Sequence, residues 1–206
     1  MCRALLAQDP DAKILFVCTE ALTRRVNWGD RSTCVLFGDA ATACILTTGA
    51  NNVVAGLEDV VCHSDGAQRD LIVVGGGTRC QYGMGDTVGE EFFITMQGRE
   101  TYKHAVRNMV HVCEEVLTRN GLSAADVNLL VPHQANLRII EAVGSRLDLT
   151  GERVFTNVAK YGNTSSASIP LALAEARAEG RIRPGDRVLM TAFGAGLTWG
   201  AALLRF

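Results

Sequence analysis

Short apolar runs recur along the chain between clusters of glycine and polar residues, and one long stretch repeats its apolar residues at helical spacing. Lys13 to Cys18 (KILFVC) is rich in β formers and predicts a buried strand. Val35 to Gly38 and Ala43 to Thr47 predict two more around Gly38-Asp39-Ala40-Ala41, and Val53 to Val61 predicts another. Residues 63–91 are glycine-rich and polar around Leu71 to Val74, which reads as loop with one strand. Glu100 to Asn120 is the clearest helix. Tyr102, Val106, Met109, Cys113, Val116 and Leu117 share one face, and Gly121 stands where a C-terminal cap belongs. Asn128 to Val131 predicts a strand, and Asn136 to Leu147 a helix with Leu137, Ile140, Gly144 and Leu147 inward. Ser165 and Ser166 are candidate caps for a helix running to Gly180, with Pro170 tolerated near its first turn. Arg187 to Phe193 and Leu197 to Leu204 predict two strands joined at Gly194-Ala195-Gly196.

Strands alternate with helices, which predicts an α/β fold. Phe37-Gly38-x-x-x-Thr42 is echoed by Phe193-Gly194-x-x-x-Thr198, a weak hint of two similar halves. Across 206 residues the composition, 48% hydrophobic and 20% charged, is that of a globular chain. A net charge of −2 argues against a nucleic-acid binder. No apolar run approaches the roughly 18–20 residues that span a bilayer, and the N-terminus lacks a signal-peptide core, so a cytoplasmic protein without membrane attachment is expected. The seven cysteines are widely spread, most of them beside apolar neighbours, with no CxxC and no zinc spacing. They read as reduced core residues, and no metal site is expected.

Two segments carry candidate chemistry. Val131-Pro132-His133-Gln134-Ala135-Asn136 takes a buried strand into a helix, and Tyr161-Gly162-Asn163-Thr164-Ser165-Ser166-Ala167-Ser168 is a small polar run ahead of another helix. Both lie where α/β folds place functional groups. A histidine at a helix N-terminus tends to stay neutral and to donate one N–H. Paired with an asparagine amide, it supplies two uncharged donors for negative charge developing on a carbonyl oxygen. A capping histidine and a turn asparagine fit the same spacing.

Residues 131–139 (VPHQANLRI) resemble the histidine motif of the 3-oxoacyl-[acyl-carrier-protein] synthase III family, and residues 162–170 (GNTSSASIP) resemble its asparagine motif. Asn163 follows His133 by 30 residues (163 − 133), as in that family. Asp30 to Asp39 (DRSTCVLFGD) and Phe193 to Gly200 (FGAGLTWG) resemble two further signatures. The resemblance implies a partial thiolase-like fold, with residues 1–50 ending the first half and residues 51–206 forming the second. It implies a Cys–His–Asn enzyme whose nucleophilic cysteine, aligned by these motifs, falls upstream of Met1. Cys2 is not a substitute, because it sits further along the cysteine's helix and forfeits the dipole that activates a thiol.

The family joins an acyl-CoA primer to malonyl carried on acyl carrier protein, with loss of CO₂, and so starts fatty acid synthesis. By that resemblance His133 and Asn163 hold the malonyl thioester carbonyl, and the Phe193-Gly194 turn contributes a backbone oxyanion donor. Arg31 matches a coenzyme A contact, and Lys103, Arg138 and Arg146 match or lie close to positions facing the carrier protein. Each of these four also fits a plain solvated charge. No cofactor beyond the thioester substrates and a homodimer of the full-length protein are implied. Arg99, Tyr102 and Leu197 depart from the family pattern and bear on acyl-chain preference. A non-catalytic thiolase-fold subunit and a specialised-metabolite acyltransferase are the alternatives on the same scaffold.

Overall fold

The computed structural model describes residues 1–49, 56–75, 82–83 and 85–206. Its elements in chain order are α1 (Cys2–Gln8), β1 (Ile14–Ala21), β2 (Asp39–Leu46), β3 (Gly56–Ser64), β4 (Ile72–Val74), β5 (Ile94–Met96), α2 (Gly98–Arg119), β6 (Leu129–Pro132), α3 (Leu137–Arg146), α4 (Val158–Tyr161), α5 (Ser168–Ala178), β7 (Arg187–Gly194) and β8 (Thr198–Arg205). Four strands form the main sheet in the order β3-β8-β7-β6, with β6 parallel to β7 and the other pairs antiparallel. β1 pairs with β2 and β4 with β5, both antiparallel.

Apolar matter covers both faces of the main sheet. Leu130 and Leu189 join Val106, Met109, Val112 and Val143 of α2 and α3 in one core cluster. Leu129, Val131 and Val188 join Ala172 and Ala176 of α5 in another. This explains why β6 reads as an unbroken apolar run: a strand buried on both faces has no polar side to alternate with. α2 buries the predicted stripe, and its end is closed by a Schellman motif. The Leu122 N–H donates to the Leu117 carbonyl and the Gly121 N–H to that of Thr118, with Gly121 at φ 65°.

Several expectations are corrected. Val35 to Gly38 is not a strand. The Asp30 carboxylate accepts from Ser32 N–H, Ser32 Oγ and Thr33 Oγ1, and this local bonding winds residues 31–36 into turns. Phe37 then makes an isolated bridge to Asn163. The two Phe-Gly pairs therefore differ: one precedes β2, the other ends β7. Leu137 is 46% exposed, because it lies slightly more than half a turn around α3 from the buried Ile139. Ser165 and Ser166 do not cap α5; residues 165–167 form a 3₁₀ turn, and Ser166 reaches the Glu20 carboxylate instead. Cys18 and Cys113 are core residues, but Cys44 and Cys62 are exposed. Residues 53–55 of the predicted fourth strand, Cys80 and the glycines at 76 and 77 lie outside the described residues.

β1 and β2 carry apolar side chains that this chain leaves open, among them Leu15, Val17 and Ile45. Among the described residues, no helix is long and apolar enough to cross a membrane.

Candidate active site

β6 ends at Pro132, and the His133 N–H continues its ladder by donating to the Thr191 carbonyl at 2.7 Å. The chain then turns sharply, with the Ala135 N–H donating to the His133 carbonyl at 2.9 Å. Buried Gln134 locks the turn. Its Nε2 donates to the carbonyls of Pro132 (2.8 Å) and Phe155 (3.3 Å), and its Oε1 accepts from the Asn157 N–H (2.9 Å). Asn136 caps α3 through the Ile139 N–H. The imidazole of His133 is left at the strand end, half-buried, with its Nδ1 2.6 Å from the Ser168 hydroxyl. Burial pushes its pKa down to about 4, so the ring is neutral at pH 7. The neutrality expected from the helix dipole is therefore a desolvation effect; His133 stands three residues ahead of the α3 cap.

Asn163 arrives from a different part of the chain. Its N–H donates to the Leu36 carbonyl (2.8 Å), and its own carbonyl accepts from the Gly38 N–H (3.0 Å). Gly162 turns the chain at φ 69°, where a Cβ would stand 3.0 Å from the Leu36 carbonyl oxygen. The Asn163 Oδ1 accepts from the Ser165 N–H at 2.9 Å, which leaves the Nδ2 amino group as the donor for a ligand. His133, Asn163, Phe193 and Gly194 all line one cavity of about 1160 Å³, mostly apolar, between the main sheet and the loops at its edge. The Phe193-Gly194 turn is set by the β7–β8 hairpin, in which Phe193 faces Trp199 and Gly194 faces Thr198.

Arg31, Lys103, Arg138 and Arg146 do not line this cavity. All four are exposed. Lys103 pairs with Glu100 at 2.7 Å, and the Arg138 guanidinium lies 5.9 Å from the centre of the Tyr102 ring. The packing of α2 on α3 thus brings Arg138 beside Tyr102, the residue before Lys103, while Arg146 stands eight residues further along α3, roughly 12 Å away. Among the described residues, no group of three or more His, Cys, Asp or Glu side chains is placed to hold a metal ion.

One supporting residue is invisible in the sequence motifs. Glu175 of α5 receives Lys160 Nζ (2.6 Å), Tyr161 OH (2.5 Å) and Asn157 Nδ2 (2.7 Å), tying down the segment that ends at Gly162-Asn163. Burial alone raises its pKa, but the donors from Lys160, Tyr161 and Asn157 outweigh this and bring it down to about 2. A carboxylate with a depressed folded-state pKa stabilises the fold above its ordinary value of 4.5 and loses that contribution as the pH falls toward about 2. The expected result is that Glu175→Gln lowers the melting temperature at pH 7 and that the gap to wild type closes on acidification over that range. A gap independent of pH would mean that the charge of Glu175 contributes nothing.

The layered α/β sheet superposes on solved synthases of the thiolase-like class, which gives the chain its class. The C-terminal family of 3-oxoacyl-[acyl-carrier-protein (ACP)] synthase III matches residues 117–206, and the 3-oxoacyl-[acyl-carrier-protein (ACP)] synthase III family matches residues 1–66. A beta-ketoacyl-[acyl-carrier-protein] synthase III of Nitratidesulfovibrio vulgaris strain Miyazaki F is 58% identical over 206 residues, covering 100% of this chain and 62% of the relative. One from Rhodospirillum centenum is 49% identical over 194 residues, 93% of this chain and 58% of the relative. Among solved structures, the 3-oxoacyl-[acyl-carrier-protein] synthase III of Aquifex aeolicus superposes with a TM-score of 0.87 at 41% identity, over 100% of this chain and 61% of that one. The Thermus thermophilus synthase III gives 0.88 at 43%, over 99% and 62%. The chain belongs to the 3-oxoacyl-[acyl-carrier-protein] synthase III family and spans about three fifths of the length of these relatives.

Proposed function

We propose that this chain is the His–Asn portion of a condensing enzyme that joins an acyl-CoA primer to malonyl on acyl carrier protein. The observation that carries the proposal is that a neutral imidazole and an asparagine whose Oδ1 is already occupied line one cavity, which can then meet donors from both side chains. In the reaction the bond from the malonyl α-carbon to its carboxylate breaks, CO₂ leaves, and the electron pair moves onto the thioester oxygen. His133 Nε2 and Asn163 Nδ2 hold that oxygen as it becomes an enolate. The enolate carbon then attacks an acyl thioester on a cysteine supplied by the segment upstream of this chain. Charge on the attacked carbonyl falls to the backbone at Phe193-Gly194, and the cysteine thiolate leaves.

The same reading assigns residues 1–50 to the end of the first thiolase-like half and residues 51–206 to the second. Arg31 contacts the nucleotide end of coenzyme A, and Lys103, Arg138 and Arg146 meet the acidic carrier protein. The full-length enzyme is a cytoplasmic homodimer that needs no cofactor beyond its thioester substrates. The contact of Arg138 with Tyr102, the neighbour of Lys103 in α2, favours a shared face; Arg146 belongs to it only for a partner reaching along α3.

The test is a chimera that joins the unmatched N-terminal portion of the Nitratidesulfovibrio vulgaris relative ahead of this chain. Asn163→Ala is expected to slow CO₂ release from a malonyl thioester by about 100-fold or more, and to affect acyl transfer from acyl-CoA to the cysteine far less, because only the first of these steps forms an enolate. Loss of acyl transfer with CO₂ release intact would reverse the role given to Asn163.

A further inference from the structure

Ser168, the first residue of α5, is buried to 2% exposure, and its hydroxyl lies between two groups of the His133 turn. Its Oγ is 2.6 Å from His133 Nδ1 and 3.4 Å from the Gln134 backbone nitrogen. A serine hydroxyl has one hydrogen to give and lone pairs to receive with, whereas a backbone N–H only donates. The Gln134 N–H therefore uses one lone pair of Ser168, and among the described residues the imidazole is the one acceptor within reach of the hydroxyl hydrogen. Nδ1 accepts it, and a neutral ring then carries its own proton on Nε2.

We infer that Ser168 is a positioning residue that fixes His133 in the Nε2–H tautomer, so that the ring nitrogen left for the cavity donates a hydrogen bond and does not accept one. The inference deepens the proposed function. In the opposite tautomer Nε2 would present a lone pair to the forming enolate oxygen and repel it; with the proton on Nε2 the ring attracts that oxygen. His133 is thereby an oxyanion donor and not a base, and the choice is made by a residue 35 positions further along the chain. This is the arrangement by which a hydrogen bond at one ring nitrogen sets the role of the other.

The test reads the tautomer without substrate. The 206-residue chain is labelled with ¹⁵N-histidine, and its ring nitrogens are recorded at pH 7, those of His133 being identified by their loss in His133→Ala. A proton-bearing resonance at Nε2 and a lone-pair resonance at Nδ1 are expected. Ser168→Ala should move both toward the average of the two positions, and Ser168→Thr, which keeps the hydroxyl, should leave them near wild type. His63, whose Nε2 lies 2.6 Å from a Glu115 carboxylate oxygen, reports whether the fold survives and should not move. A proton on Nδ1 in the wild-type chain would overturn the inference, and so would a folded Ser168→Ala chain with both resonances unmoved. Should Ser168→Ala fail to fold, a proton on Nδ1 in the wild-type spectrum still overturns the inference. Because no turnover is involved, failure of the decarboxylation assay would refute the proposed reaction and leave the tautomer assignment standing.

Discussion

His133→Ala is expected to slow malonyl decarboxylation in the chimera by about 100- to 1,000-fold, a loss of roughly 3–4 kcal/mol of transition-state stabilisation. The size follows from where the ring sits. A half-buried donor in a mostly apolar cavity faces less competition from solvent than one on the surface, and His133 is held ready by the Thr191 carbonyl at its backbone and by Ser168 at Nδ1. Nothing has to reorganise as the enolate forms. Binding of the thioester should change much less than turnover, because the charge on its oxygen develops only in the transition state. Rapid-quench measurement of CO₂ release, with KM and kcat separated, is the direct check. A rise in KM at constant kcat would make His133 a binding residue only.

Gly38→Ala is expected to be the most damaging single substitution in the frame of the site. A Cβ at Gly38 would stand 1.9 Å from the Tyr161 carbonyl oxygen, a backbone atom without a flexible side chain to yield. The Gly38 N–H also donates to the Asn163 carbonyl. Relieving the clash therefore drives the two segments apart and breaks the bridge that aims Asn163. A cost of roughly 3 kcal/mol or more is expected, at the upper end for overpacking. Gly98→Ala is the control: nothing lies within 4 Å of its Cβ, and it opens α2. It should be neutral or stabilising by up to about 1 kcal/mol. Denaturant titration of the two variants separates these outcomes, and a Gly38→Ala chain as stable as wild type would show that the approach to Tyr161 is not tight.

Elements held by their own periodicity were legible in the sequence. α2 announced itself because Val106, Met109, Cys113 and Val116 recur on one face, and β6 because both its faces are buried. Residues 31–38 were not, because the apolar run Val35-Leu36-Phe37 carries a strand signal that a single carboxylate, Asp30, overrides through side-chain hydrogen bonds. The site divides in the same way. His133 and Asn163 stood out as polar groups at the ends of apolar segments. Ser168, Glu20 and Glu175, which aim or anchor them, act across 35, 146 and 14 to 18 residues of chain. No local pattern encodes such pairings. Ser168 did close the small polar run that leads into α5, but its partner became visible only when β6 and α5 were placed side by side.

The central claim is that His133 and Asn163 act on one oxygen, and the double variant His133→Ala/Asn163→Ala tests it most directly. Two donors that share a developing charge act as a unit, so removing the second costs little once the first is gone. CO₂ release from a malonyl thioester by the double variant of the chimera is expected to be within about tenfold of the slower single variant, given single losses of about 100-fold or more. A double loss equal to the product of the two single losses would place the residues at separate steps or on separate atoms, and would contradict the account.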